Sequence, residues 1–227
     1  SRKNTIAFVR ITAFFRQGKE ILSGGLPSFL CSVGMGFLII LFNNQIMRYL
    51  GSSELAVYGV ASSLFTLVQT FSYGIGNAAQ PIVAENLGAR QWRRIQETKN
   101  WGCITAAVIG TAAAAASFLF PLEIVSIFMK ASDSVLMIAP AALRKYFLCF
   151  IFVPFNVFAA YYLQAVKQVK ESVTLSALWG FLLSGLFLYL FPVVFGAQSI
   201  WYVMVCAECI VSFTAVVLLN KKIQKET

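Results

Sequence analysis

One carboxylate, Glu208, stands midway along an apolar run, Ile200 to Leu219, in the setting Cys206-Ala-Glu-Cys209. A charge at that depth in hydrocarbon is costly. Such a group either takes part in moving a proton or ion, or is protonated and hydrogen-bonded between helices. Both readings stay open at this stage. The flanking thiols have C-x-x-C spacing, yet within a membrane run that spacing resembles a redox or metal pair only superficially. All five cysteines, Cys31, Cys103, Cys149, Cys206 and Cys209, fall in apolar runs and read as buried free thiols. The chain has no histidine, which removes histidine triads, histidine metal sites and imidazole bases. The remaining acidic residues are scattered, so neither an enzyme nor a metal or organic cofactor is expected.

A second set of polar residues is patterned. Ser62, Ser63, Thr66, Gln69, Thr70, Ser72, Tyr73, Asn77 and Gln80 recur at spacings of three, four and seven, which puts most of them on one stripe of a helix. Lipid offers a polar stripe no partner, so it faces a bundle interior or a water-filled cavity. The stripe runs into Gly74-Ile-Gly-Asn-Ala-Ala-Gln80-Pro81-Ile-Val-Ala-Glu85-Asn86-Leu-Gly88-Ala89-Arg90, where proline and glycines bend and end a membrane helix. Backbone groups freed there need protein or water as partners. Glu85, beside Asn86 and Arg90, reads as an interfacial ion pair.

The elements that position these residues are membrane spans. A chain that is 59% hydrophobic and 12% charged, with 21 phenylalanines, is too apolar for a soluble domain. Six runs near the length a bilayer needs stand at about 21–47, 54–84, 101–120, 146–166, 173–194 and 200–219. Residues 1–20 read as a linker or amphipathic segment, and 221–227 as a polar tail. Pro121 ends the third span, Leu122 to Met129 reads as a short interfacial piece, and Asp133 as a helix start. The Ala112 to Ala116 run predicts tight helix packing. The net charge of +9 does not point to nucleic acid, because the basic residues cluster between apolar runs. Fourteen of the 18 lysines and arginines fall on one side if the chain alternates across a bilayer. By the positive-inside rule both ends are then cytoplasmic.

Four short motifs carry a resemblance. Gly25-Leu-Pro27, the Gln80 to Ala89 stretch, Tyr162-Leu-Gln164-Ala-Val-Lys167, and Phe195-Gly196-Ala-Gln-Ser-Ile200-Trp201 resemble signatures of multidrug and toxic compound extrusion (MATE) transporters, of the bacterial multidrug-exporter branch. The resemblance implies the C-terminal lobe, helices seven to twelve, of a twelve-helix transporter in a bacterial plasma membrane, partnered by an N-terminal lobe. Two departures stand out. The first span lacks the carboxylate that some relatives use to bind a coupling cation, and the fourth carries Asn156 where they carry an aspartate. In the tenth-helix motif the glycine is replaced, Lys167-Gln168 following Val166.

The implied function is export of small cationic amphipathic molecules in exchange for H+ or Na+, by rocking of two lobes around a shared cavity. Asn43, Gln69, Tyr73, Asn77, Asn156 and Gln164 are the expected cavity liners, with aromatic side chains supplying stacking and cation–π contacts. Pro27, Gln80, Pro81, Asn86 and Gly88 are assigned to helix bending and gating, and Glu208 to a possible proton or ion link. The same superfold also houses flippases of lipid-linked oligosaccharides, which line the cavity with cations. Only Arg144 and Lys145 come near a span here. A non-transporting membrane scaffold is the rival from another class.

Overall fold

The computed structural model describes residue 34 and residues 36–220. Pro27, the linker 1–20, the start of the first span and the tail 221–227 lie outside the described residues. The described chain is helical from end to end. In hydrocarbon only a helix satisfies its own backbone, so apolar runs of this length leave no other choice.

Helix α1 covers 36–49, α2 Ser52–Gly88, α3 Trp92–Leu119 and the short α4 Pro121–Phe128. Then come α5 Asp133–Phe147, a 3-10 turn Leu148–Ile151 and α6 Val153–Ala165. The chain continues through α7 Val169–Ala177, a π-helical turn Leu178–Leu182 and α8 Leu183–Phe195, then a 3-10 turn Ala197–Tyr202 and α9 Val203–Leu219. Among the described residues, five helical stretches are long and apolar enough to cross a membrane: Ser52–Gly88, Trp92–Leu119, Asp133–Ala165, Val169–Phe195 and Ala197–Leu219. Pro121 sits in the first turn of α4, where its missing N–H costs nothing, and α5 starts at Asp133.

Three sequence expectations need correction. The fourth span begins at Asp133 rather than near Tyr146, because Pro140 lies inside α5 without ending it. The third begins at Trp92, so Arg93, Arg94 and Lys99 stand on helix rather than in a loop. There Arg93 and Glu97 pair at 2.8 Å, one turn apart, a spacing that supports helix. Glu85 is exposed and, among the described residues, makes no ion pair with Arg90.

The Asp133–Ala165 stretch is the most buried of the five, at 67% against 24% for Val169–Phe195. It is therefore the central stave, with α6 packed against α2, α3, α7 and α9. Aromatic rings fill the adjoining core: Phe42 stacks on Tyr58 at 5.2 Å, Phe147 on Phe150 at 4.9 Å, and Tyr146 meets Trp201 edge-on. Helix α3 approaches through a stripe of small residues, Gly102, Ala106, Gly110, Ala114 and Ser117, all buried. Backbones come close where side chains are small. A Cβ on Gly110 would lie 2.5 Å from the Phe150 carbonyl oxygen. Of the run Ala112 to Ala116 only Ala114 is buried, since the seam takes one residue every three or four and the others point away from it.

Two turns at the basic end share one device. After α2, the N–H of Gln91 bonds to the Asn86 carbonyl at 2.8 Å and that of Arg90 to Leu87 at 3.1 Å. After α6, Gln168 bonds to Leu163 at 2.9 Å and Lys167 to Gln164 at 3.1 Å. Both are Schellman closures, in which the residue past the cap turns left-handed. Arg90 has φ 55° and Lys167 φ 63°. Lys167 thus adopts the conformation that the family glycine would take without strain.

Candidate functional site

The polar stripe of α2 divides in two. Its first half, Ser62 to Gln69, borders a cavity of about 290 Å3 that is also lined by Phe42, Tyr58, Tyr146 and Trp179. The hydroxyls satisfy themselves on helix carbonyls. Ser62 and Ser63 donate to Gly59 at 3.0 and 2.9 Å, and Thr66 to Ser62 at 2.9 Å. Further along, Thr70 and the buried Ser72 do the same. With the hydroxyl protons spent, the oxygens on the cavity side present lone pairs. Gln69 contributes the opposite group: it is 8% exposed, and its buried Nε2 has no partner among the described residues. Among the described residues, no lysine, arginine, aspartate or glutamate borders this cavity.

The second half of the stripe turns to α6. Tyr73 lies 6.1 Å from the Tyr161 ring, and Gln80 Nε2 donates to Gln164 Oε1 at 3.3 Å. Gly76 makes this approach possible, since a Cβ there would meet the Tyr161 ring at 2.6 Å. Asn43 and Asn77 are exposed and do not border that cavity. Pro81 is exposed and α2 runs on past it for two turns. Its ring removes the N–H that would have met the Asn77 carbonyl. Asn86 Nδ2 donates to the Ile82 carbonyl at 2.8 Å, and its own carbonyl receives Gln91. Asn86 therefore fastens the helix end. Gly88 has an ordinary φ and open space at its Cβ position, so the left-handed turn belongs to Arg90 instead.

Asn156 does not line the cavity. It is 2% exposed and faces α9, where Nδ2 donates to Glu208 Oε2 at 2.6 Å and to the Glu208 carbonyl at 3.0 Å. Its Oδ1 receives Ser212 Oγ at 2.7 Å, and Trp179 Nε1 donates to Glu208 Oε1 at 2.7 Å. Glu208 is 1% exposed. The sequence put Asn156 forward as a cavity liner, and its segment does not reveal that it faces Glu208 instead. Cys206 is half-buried and Cys209 exposed, both free thiols.

Two participants escaped the sequence reading. Trp179 is one, and Glu54 the other. Glu54 opens α2 buried, and its two carboxylate oxygens receive Gln198 Nε2 at 3.0 Å and Trp201 Nε1 at 3.1 Å. An acidic residue in the first turn of a helix reads as ordinary dipole compensation. The only hint was its partner turn, Gln198-Ser-Ile-Trp201, which sets a polar residue and an indole between apolar spans. The two basic residues within the Asp133–Ala165 stretch are spent elsewhere. Arg144 donates to the Phe118 carbonyl at 3.1 Å and covers its ring, and Lys145 lies over Tyr202.

Apolar spans packed around an aromatic-walled cavity, with a buried carboxylate behind one wall, mark this chain as a helical integral membrane protein. The sequence profile of the MatE family matches residues 27–190, and the chain belongs to that family. No curated protein matches it at a significant level. Among solved structures, it is similar to the outward-facing form of a multidrug resistance MATE family transporter of the MOP superfamily, with TM-score 0.82 and 19% identity over 98% of this chain and 51% of that one. The inward-facing form of a multidrug resistance MATE family transporter matches at 0.82 and 19%, over 92% and 48%. A MOP superfamily transporter from Pyrococcus furiosus, described as having a binding pocket of reverse polarity, matches at 0.82 and 18%, over 97% and 50%. The chain spans about half the length of the transporters it matches, as one lobe does, consistent with the C-terminal half.

Proposed function

We propose that this chain is the C-terminal half of a secondary active exporter of small cationic amphipathic molecules. It works with an N-terminal lobe in a bacterial plasma membrane, both its ends cytoplasmic. Export is driven by an inward H+ or Na+ gradient, and the two lobes rock to open their shared space to either side. The observation that carries the reading is the cavity wall. It combines aromatic rings with oxygen lone pairs and, among the described residues, carries no fixed charge, which suits a soft organic cation more than an anion. The same wall counts against a lipid-linked sugar cargo, since Arg144 and Lys145 are committed to Phe118 and Tyr202. Rocking of the lobe as a body is supported by its equal likeness to outward- and inward-facing relatives. Within this scheme Pro27, Gln80, Pro81, Asn86 and Gly88 belong to the bending and closing of the lobe, and Asn43, Tyr73, Asn77 and Gln164 to the wider space between lobes.

The test is ethidium efflux from energised cells expressing the full reading frame at matched membrane abundance. Wild type is expected to pump, gradient collapse to stop it, and Gln69→Ala to weaken it several-fold. Failure to move any of several unrelated cationic dyes would sink the exporter reading.

A further inference from the structure

Trp179 belongs to two sites at once. Its indole forms part of the cavity wall beside Tyr146 and Met204, and its Nε1 donates to Glu208 behind that wall. It stands in the π-helical turn Leu178–Leu182. The wider turn there is the kind of irregularity found at functional positions. The titratable groups facing Glu208 are Tyr146 of α5 and Cys149 of the 3-10 turn, both uncharged in ordinary solution. Asn156 reaches it from α6 and Trp179 from the π turn. Among the described residues, α7, α8, the 3-10 turn before α9 and α9 itself set no charged group against it.

The partners of this carboxylate are of one kind. An indole N–H and an amide NH2 only donate, so each is held most strongly by an ionised oxygen and neither can accept from a carboxylic O–H. A proton arriving on Oε1 meets the indole N–H, and one arriving on Oε2 meets the Asn156 amide. The two partners differ in freedom. Asn156 is 2% exposed, with a second bond to the Glu208 carbonyl and a third from Ser212. Trp179 is half-buried, has this one polar bond, and has about 290 Å3 of open cavity beside it. The indole is the partner that yields.

We propose that Trp179 is a gate on the cavity, latched open by its hydrogen bond to Glu208. When Oε1 takes a proton from cavity water, the N–H···O bond loses its charge assistance and weakens, and the indole is freed to swing into the cavity. When the proton returns to water, the indole is drawn back against the wall. A cavity ligand and the released indole compete for one space, so ligand binding favours the latched state and expels the proton. This inference rests on the exporter reading for its ligand, but the latch itself is tested without one.

The experiment uses the purified full-length transporter. The emission contributed by Trp179 is obtained across pH by subtracting Trp179→Phe from wild type. It is expected to change in a single one-proton step that vanishes in Glu208→Gln. No step, or a step that survives Glu208→Gln, overturns the latch. Ethidium affinity is measured over the same range. In wild type it falls toward low pH, by up to about tenfold per pH unit for one linked proton, whereas both variants are expected to flatten that dependence. A purely structural role would lower the melting temperature of Trp179→Phe and leave the pH dependence intact, which would also overturn the proposal. If wild type binds no dye, the exporter reading fails and the emission step still decides the latch.

Discussion

Replacing Gly110 by alanine tests how α3 is held. An added Cβ would lie 2.5 Å from the Phe150 carbonyl oxygen and 3.1 Å from that of Ile151, with Pro154 Cδ at 3.3 Å. Ordinary contact begins near 3.4 Å, so the methyl is about 0.9 Å too close to backbone that no rotamer change can move. Overpacking of this severity costs about 3 kcal/mol, and alanine returns about 1 kcal/mol of helix propensity. The net expectation is roughly 2 kcal/mol of destabilisation. Gly74→Ala is the matched control, since a Cβ there meets nothing within 4 Å and only the propensity gain applies. Thermal unfolding of the purified full-length transporter in one detergent reads the difference. Gly110→Ala should melt several degrees below wild type, and Gly74→Ala at or above it. If Gly110→Ala melts with the control, the α3 seam is not in direct backbone contact and the packing argument is wrong.

Lys167→Gly should raise stability by about 1 kcal/mol, because a left-handed conformation strains any residue with a Cβ and the Lys167 side chain is exposed. Melting would go the other way if the lysine made an unseen compensating contact. Glu54→Ala should cost about 1–3 kcal/mol by leaving the Trp201 N–H buried without an acceptor. Glu54→Gln, which keeps an amide oxygen, should fall between it and wild type in the same melt. Equal melting of Glu54→Ala and wild type would refute the role given to that carboxylate.

The sequence made the stripe on α2 legible because hydrophobic period reveals which residues share a face. It also located the Asp133 helix start and the Pro121 break, which depend on local chemistry. The destination of a face was not legible. Gln69 and Tyr73 lie one turn apart on α2, yet one borders the cavity and the other meets Tyr161. Asn156 read as a cavity liner because nothing in its own segment reveals Glu208, 52 positions away. Trp179 was silent for the same reason, its meaning resting on a π turn that no composition rule anticipates. Span limits slipped where polar helix continues past the apolar run, as at Arg93 and Arg94, since apolarity measures the membrane and not the helix.

The two Schellman turns at the basic end leave very little slack. Helix α2 passes to α3, and α6 to α7, through three residues each, 89–91 and 166–168, and those residues are already committed to closing bonds. A linker with no spare length transmits displacement as a rod does. Neither helix of such a pair can slide by a turn without dragging its mate. Any deformation within this half must therefore shift α2 with α3, or α6 with α7, as tethered couples. The looser joints, such as the stretch between α4 and α5, are where relative motion has room to occur.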